Sequence, residues 1–165
     1  MDFIIEPMTA DDWQQVRAIY EEGIRGGHAT FETSAPSWEQ WDRAHLPFGR
    51  LVARSGGTVV GWAALSPVSA RKAYAGVAES SIYVSNEAQG KGIGTALQEE
   101  LTRQSEAHGI WTLQAVVFAE NTASLALLKK AGFREVGRRE QIAQLDGRWR
   151  DTILLERRSP VVGKD

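Results

Sequence analysis

Glu79-Ser-Ser-Ile-Tyr-Val-Ser85 leads through Asn86-Glu-Ala-Gln89 into Gly90-Lys-Gly-Ile-Gly94, and the rest of the chain is arranged around this stretch. The first segment has the apolar character of a strand. After the glycines, apolar residues recur at Ile93, Leu97 and Leu101, the spacing of one helix face. Strand, glycine-rich turn, helix is a layout that points several free backbone N–H groups at one spot. Glycine lets a ligand approach the main chain, and the helix N-terminus adds partial positive charge. Such a turn suits an anion, most often phosphate or pyrophosphate. A turn that only joins strand to helix has the same composition, so the hexapeptide alone leaves both readings open.

Spacing narrows the choice. Gly90, Gly92 and Gly94 form G-x-G-x-G, not the G-x-G-x-x-G of a dinucleotide fold. Gly90-Lys91 is followed by Gly92, where a nucleotide-triphosphate loop needs Ser or Thr.

With 165 residues the chain is long enough to bury one core without staples. Apolar content of 42% and charged content of 24% are ordinary for a globular chain. The net charge of −2 argues against a nucleic-acid binder. There is no cysteine, which excludes disulfides, thiolate metal sites and a cysteine nucleophile. His28, His45 and His108 lack metal-ligand spacing, so no metal is expected. No membrane-spanning run or signal peptide is seen, and a cytoplasmic small-molecule protein is the expectation.

Along the chain, Phe3-Ile-Ile5 reads as a strand ended by Pro7, and Trp13, Val16 and Tyr20 recur at helical spacing after Thr9-Ala-Asp-Asp12. Gly23 to Gly27 is read as loosening the chain. Ser37-Trp-Glu-Gln40 is a capping box opening a short helix. Leu51–Arg54 and Val59–Leu65 flank Ser55-Gly-Gly-Thr58, a hairpin. Ile110–Phe118 is the strand after the central helix. Asn121 caps a further helix stopped at Gly132, and a last antiparallel pair turns at Asp146-Gly147. The pattern predicts a mixed α/β sheet, parallel near its centre and antiparallel at its ends.

Gln89-Gly-Lys-Gly-Ile-Gly94 after Ile82-Tyr-Val84 resembles the pyrophosphate loop of the GCN5-related N-acetyltransferases (GNAT), which hold acetyl-CoA there. Asn121-x-x-Ser124 before a helix closed by Lys130-Ala-Gly-Phe133 resembles a second motif of that family, whose asparagine contacts CoA. Ala29-Thr-Phe-Glu-Thr33, Arg71-x-Ala-Tyr74, Glu79-Ser80 and Gly147-x-Trp-x-Asp151 resemble its phosphinothricin acetyltransferase branch, which acetylates amino-acid-like amines such as phosphinothricin or methionine sulfoximine.

The resemblance implies a GNAT-like single domain over residues 1–158, with a flexible tail at 159–165. It implies central strands bulged and splayed around acetyl-CoA, and helices on both faces. Cofactor contacts are implied at Ile82, Tyr83, Val84, Gln89, Gly90, Lys91, Gly92, Ile93, Gly94, Thr95, Asn121 and Ser124. Substrate contacts are implied at Phe31, Glu32, Arg71, Tyr74 and Val77, and a homodimer is implied because relatives commonly form one. Two positions depart from the pattern: Val77-Ala78 stands where the branch has Thr-Val, and Leu128 where relatives place a histidine or tyrosine near the departing thiol.

Amide formation needs a neutral amine, so a base must take the ammonium proton. Glu79, a carboxylate at the head of an apolar strand, is the candidate, and the resemblance assigns its counterpart that role. A backbone N–H along Ile82-Tyr-Val84 is placed to receive the oxyanion. Without cysteine, a cysteinyl acyl-enzyme is excluded, and direct attack in a ternary complex is expected. Arg71 suits a carboxylate or phosphinate, though a solvated basic loop reads the same way, and Phe31 reads equally as core. Trp149 reads as core or dimer packing. The alternatives are an acetyltransferase for protein N-termini or polyamines, and a CoA-binding module without turnover.

Overall fold

The computed structural model covers residues 1–165. Its strands are β1 (Ile4–Pro7), β2 (Leu51–Ser55), β3 (Thr58–Pro67), β4 (Val77–Val84), β5 (Thr112–Phe118), β6 (Arg134–Leu145) and β7 (Arg148–Arg158). Its helices are α1 (Trp13–Gly26), α2 (Trp38–Ala44), α3 (Ile93–Ala107) and α4 (Thr122–Lys130). The strands form one sheet in the order β1-β2-β3-β4-β5-β7-β6. Every pairing is antiparallel except β4 with β5, which α3 connects as a crossover. The mixed α/β sheet expected from the pattern is the sheet observed.

Tight turns close the hairpins where the sequence supplies residues that tolerate positive φ. Gly56 and Gly57 have φ of 55° and 85°, and Asp146 and Gly147 have 51° and 77°. The capping box at Ser37 forms: Gln40 N–H donates to Ser37 Oγ at 3.2 Å, and Ser37 N–H donates to Gln40 Oε1 at 3.0 Å.

The two faces of the sheet are covered differently. On one, Val16 and Ile19 of α1 and Trp41 of α2 pack against Val52, Trp62 and Ala64. On the other, Ile93, Leu97 and Leu101 of α3 and Leu128 of α4 pack against Leu51, Ala63, Leu65, Leu113 and Leu155. Each such buried Val, Leu or Ile side chain contributes about 1.5–3 kcal/mol. No helix is long and apolar enough to cross a membrane.

Three expectations change. Gly23 does not loosen the chain: α1 continues to Gly26, and a Cβ at Gly23 would meet the Tyr83 ring at 2.8 Å, so the glycine lets the helix seat on that ring. The stretch after Arg157 is held through Gly163. Ser159 is buried, its N–H donates to Trp111 O at 2.8 Å, and Arg158 donates to Val162 O and Gly163 O at 2.7 Å each. Trp149 is 56% exposed and takes no part in the core.

β4 and β5 share three rungs: Val77–Thr112, Ala78–Leu113 and Glu79–Gln114. Beyond them β4 stays on β3 as far as Val84, while β5 stays on β7 as far as Phe118. The sheet therefore opens into a fork at Glu79. No bulge is needed for this, because the register of β4 on β3 is unbroken from Pro67–Ala78 to Gly61–Val84.

Candidate active site

The fork exposes main-chain groups. Ser85 N–H donates to Val60 O at 2.9 Å, so in the alternating ladder the amides of Tyr83 and Ser81 also face β3. Those of Ile82 and Val84 face the opening. Tyr83, expected to offer its main chain, instead gives it to β3, and its ring packs against both Tyr20 (5.0 Å) and Trp62 (4.7 Å), which also touch each other (5.7 Å). Burial raises the Tyr83 phenol above the ordinary tyrosine range, and the adjacent Tyr20 adds to this.

At the C-terminal end of β4 the glycine turn adopts the geometry the motif requires. Gly90 and Gly92 have φ of 74° and 84°, and Gly92 caps α3. The first α3 bond of this turn is Ala96 N–H to Gly92 O at 3.1 Å, and no hydrogen bond within the protein uses the N–H groups of Ile93, Gly94 or Thr95. The first turn of α3 carries no acidic residue. Gly94 has a second reason to be glycine: a Cβ there would meet Leu127 Cδ1 at 2.7 Å, so it sets the approach of α3 to α4.

A cleft of about 730 Å³ runs along the fork. Its lining includes Phe31, Glu32, Glu79, Ile82, Val84, Gln89, Gly90 and Gly92, then Ile93, Gly94, Thr95, Asn121 and Ser124. Glu79 is half-buried and accepts a hydrogen bond from Gln114 Nε2 at 2.9 Å. Leu128 is buried in the same lining, where it has no proton to give. The lining contains no Lys or Arg.

Several expected residues stand elsewhere. Arg71, Tyr74, Val77 and Lys91 do not line the cleft. Arg71 and Tyr74 are exposed, with the guanidinium 5.7 Å from the Tyr74 ring, because the β3–β4 connection runs on the far side of the closed rungs. Lys91 is exposed beside the glycines. Asn121 reaches the cleft with both ends of its amide engaged: Oδ1 accepts from Ser124 N–H at 3.2 Å, and Nδ2 donates to His28 O at 3.1 Å. It caps α4 and ties down the loop after α1.

Three residues were missed by the sequence reading. Gln114 is visible as a contact of Glu79 only once β5 is registered on β4. Arg150 donates to Gly27 O at 3.0 Å, His28 Nδ1 at 2.9 Å and Glu120 at 3.2 Å, while lying 4.2 Å over the Phe118 ring. It locks the loop that carries Phe31, whose ring meets Phe118 edge-on at 4.7 Å. His45 lines the cleft from the end of α2. An Arg immediately after Trp149, near the start of a strand, carries no pattern that distinguishes it from a solvated strand residue.

The comparisons with known proteins agree with this geometry. A family model described as acetyltransferase (GNAT) family matches residues 13–133. The chain belongs to the GNAT acetyltransferase family. Among GNAT relatives, the phosphinothricin N-acetyltransferase of Alcaligenes faecalis is 33% identical over 156 residues, 89% of this chain and 78% of that one. The L-methionine sulfoximine/L-methionine sulfone acetyltransferase of Pseudomonas aeruginosa is 31% identical over 151 residues, 88% of each chain. A GNAT superfamily phosphinothricin acetyltransferase from Sinorhizobium meliloti, solved in complex with acetyl-CoA, matches with a TM-score of 0.86 at 31% identity, covering 100% of this chain and 97% of that one.

Proposed function

We propose that this GNAT protein transfers the acetyl group of acetyl-CoA to the amino group of a small amino-acid-like substrate, of the phosphinothricin, methionine sulfoximine or methionine sulfone type. The observation that carries the reading is the position of Glu79 at the closed end of the fork, with unpaired amides of β4 and α3 along the same cleft. The α3 N-terminus receives the diphosphate, with Gly90 and Gly92 letting it approach. The pantetheine arm follows the open edge of β4, leaving the thioester near Glu79. Glu79 takes a proton from the ammonium, the amine attacks the thioester carbonyl, and the Ile82 or Val84 N–H receives the oxyanion. Collapse breaks the C–S bond and releases CoA as thiolate, which needs no donor at Leu128, and the nitrogen gives up its second proton to solvent as the neutral amide forms. Both substrates are bound together, since the chain has no cysteine to carry the acetyl group.

The reading includes a homodimer: Val136, Ile142 and Trp149 on the β6–β7 hairpin are exposed apolar side chains of the kind a second copy covers. The test of the activity is thiol release from acetyl-CoA across amino acids, methionine sulfone, methionine sulfoximine, phosphinothricin, a polyamine and a peptide N-terminus. Stimulation by the amino-acid analogues supports the reading. Stimulation by the peptide or polyamine alone transfers it to those substrates, and none by any amine leaves a CoA-binding module.

A further inference from the structure

His45 caps the C-terminal end of α2 and lines the cleft. Leu46 N–H donates to Leu65 O at 2.8 Å, which lays His45 beside β3 at Leu65–Ser66. Ser66 stands directly across from Glu79 on β4, so their side chains share one face of the sheet. His45, Ser66 and Glu79 all line the cleft. His45 also lines a smaller adjoining cavity of about 430 Å³, walled by Tyr20, Trp41, Trp62 and Tyr83. It sits where the two cavities meet.

Its tautomer is fixed by a neighbour. Nδ1 lies 2.7 Å from Trp41 O, and a carbonyl only accepts, so Nδ1 carries the hydrogen and Nε2 the lone pair. The ring is held flat on Trp41 with centroids 4.1 Å apart. Nε2 has no partner in the protein and is not sealed by packing, unlike the indole nitrogens of Trp41 and Trp62.

We propose that His45 is a second amine-contacting residue of this site, its Nε2 accepting a hydrogen bond from the substrate nitrogen while Glu79 removes the proton. The inference rests on the acetyltransferase reading above. With no Lys or Arg in either lining, the charged side chains around the amine are Glu79 and Glu32, an arrangement that receives a cation. An acceptor opposite Glu79 orients the nitrogen so that its lone pair points at the thioester once the proton has left.

The groups around His45 favour its unprotonated form. Burial lowers its pKa below the usual histidine value, opposed by the Trp41 carbonyl and reinforced by Arg50, whose guanidinium also donates to His45 O at 3.0 Å. Asp42 on α2 is paired with Arg50 and so does not offset it freely. Tyr20 of α1, Glu32 of the following loop, and Glu79 and Tyr83 of β4 complete the surroundings.

The experiment compares His45→Phe, which keeps the stacked ring and removes the lone pair, with His45→Gln, which restores an acceptor. Initial rates are measured for both substrates, and amine binding to the CoA-loaded protein is followed by the fluorescence of the tryptophans against His45. The expected result is a rise of about tenfold in the amine KM for His45→Phe, partial recovery in His45→Gln, and an acetyl-CoA KM within about twofold of native. An unchanged amine KM in His45→Phe overturns the proposal. Equal losses for both substrates in both variants, with a lowered melting temperature, also overturn it by making His45 structural. A native protein that binds an amine without turnover, and binds it more weakly in His45→Phe, keeps His45 and rejects the transfer reading. A native protein that binds no amine rejects both.

Discussion

Glu79 stands directly opposite Gln114 on the last rung joining β4 to β5, and accepts a hydrogen bond from its Nε2 at 2.9 Å. The contact fixes the carboxylate at the point where the sheet opens. One oxygen is oriented by the amide, and the carboxylate as a whole faces the cleft. Replacement by Gln keeps the volume and removes the base. Glu79→Gln is expected to lower kcat on the order of a hundredfold or more near neutral pH, with acetyl-CoA affinity nearly unchanged. Steady-state rates and calorimetric binding of CoA check this; parallel losses in both would make Glu79 structural.

The glycines of the turn are glycine for different reasons, and substitutions separate them. Gly92 has φ of 84° and open space around its Cα, so a side chain there is strained and projects into the space at the α3 N-terminus proposed to hold the diphosphate. Gly92→Val is expected to raise the acetyl-CoA KM about tenfold, at a stability cost of about 1–2 kcal/mol from the backbone. Gly94→Ala meets Leu127 instead, and its main effect is expected in thermal unfolding. A Gly92→Val variant with native CoA affinity counts against the loop as the diphosphate site.

How much of this was legible in the chain follows from what each residue depends on. The turn from Gln89 to Gly94 and the capping box at Ser37 act locally, within a few residues, and their roles can be read from spacing. Glu79 could be singled out because a carboxylate among apolar strand residues needs a reason. That Arg71 and Tyr74 lie outside the cleft could not be read from the chain, because spacing does not say on which side of the closed rungs the connection before β4 runs. Gln114, Arg150 and His45 depend on contacts across 35 residues or more, or on a side-chain tautomer, neither of which leaves a pattern in sequence. Asn121 is legible as the α4 cap from its position before the helix, while its bond to His28, 93 positions away, is not.

Arg150 joins three segments through one side chain: the loop after α1, the turn before α4, and β7. Its side chain is 12% exposed and binds Gly27 O, His28 Nδ1 and Glu120 while covering Phe118. Arg150→Met keeps much of the apolar stem and loses the donors. The expected result is faster hydrogen exchange in residues 27–34 and an amine KM raised several-fold, with acetyl-CoA KM held, because Phe31 and Glu32 ride on that loop. Unchanged exchange in the loop would show that Phe31 and Asn121 hold it without the arginine.

Asp12 gives the fold an acid-sensitive joint far from the cleft. It is buried, and its carboxylate accepts from Thr9 N–H at 3.0 Å and pairs with Arg54 at 2.8 Å. Burial pushes its pKa upward, but the Thr9 amide and the Arg54 guanidinium outweigh this and hold it below the ordinary aspartate value. A carboxyl with a depressed folded pKa contributes stability that is present above its unfolded value of roughly 3.9 and disappears as pH falls through the folded one. Asp12→Asn keeps the shape and removes the charge, leaving Arg54 with Glu6 alone. The variant is therefore expected to be less stable than native by about 1.5 kcal/mol at neutral pH. The two denaturation midpoints should converge as the pH drops below about 4, because protonated aspartic acid and asparagine then make the same contacts. Midpoints measured in urea from pH 7 down to pH 3 check the sign: a gap that stays constant across that range would mean the difference does not arise from the titration of Asp12.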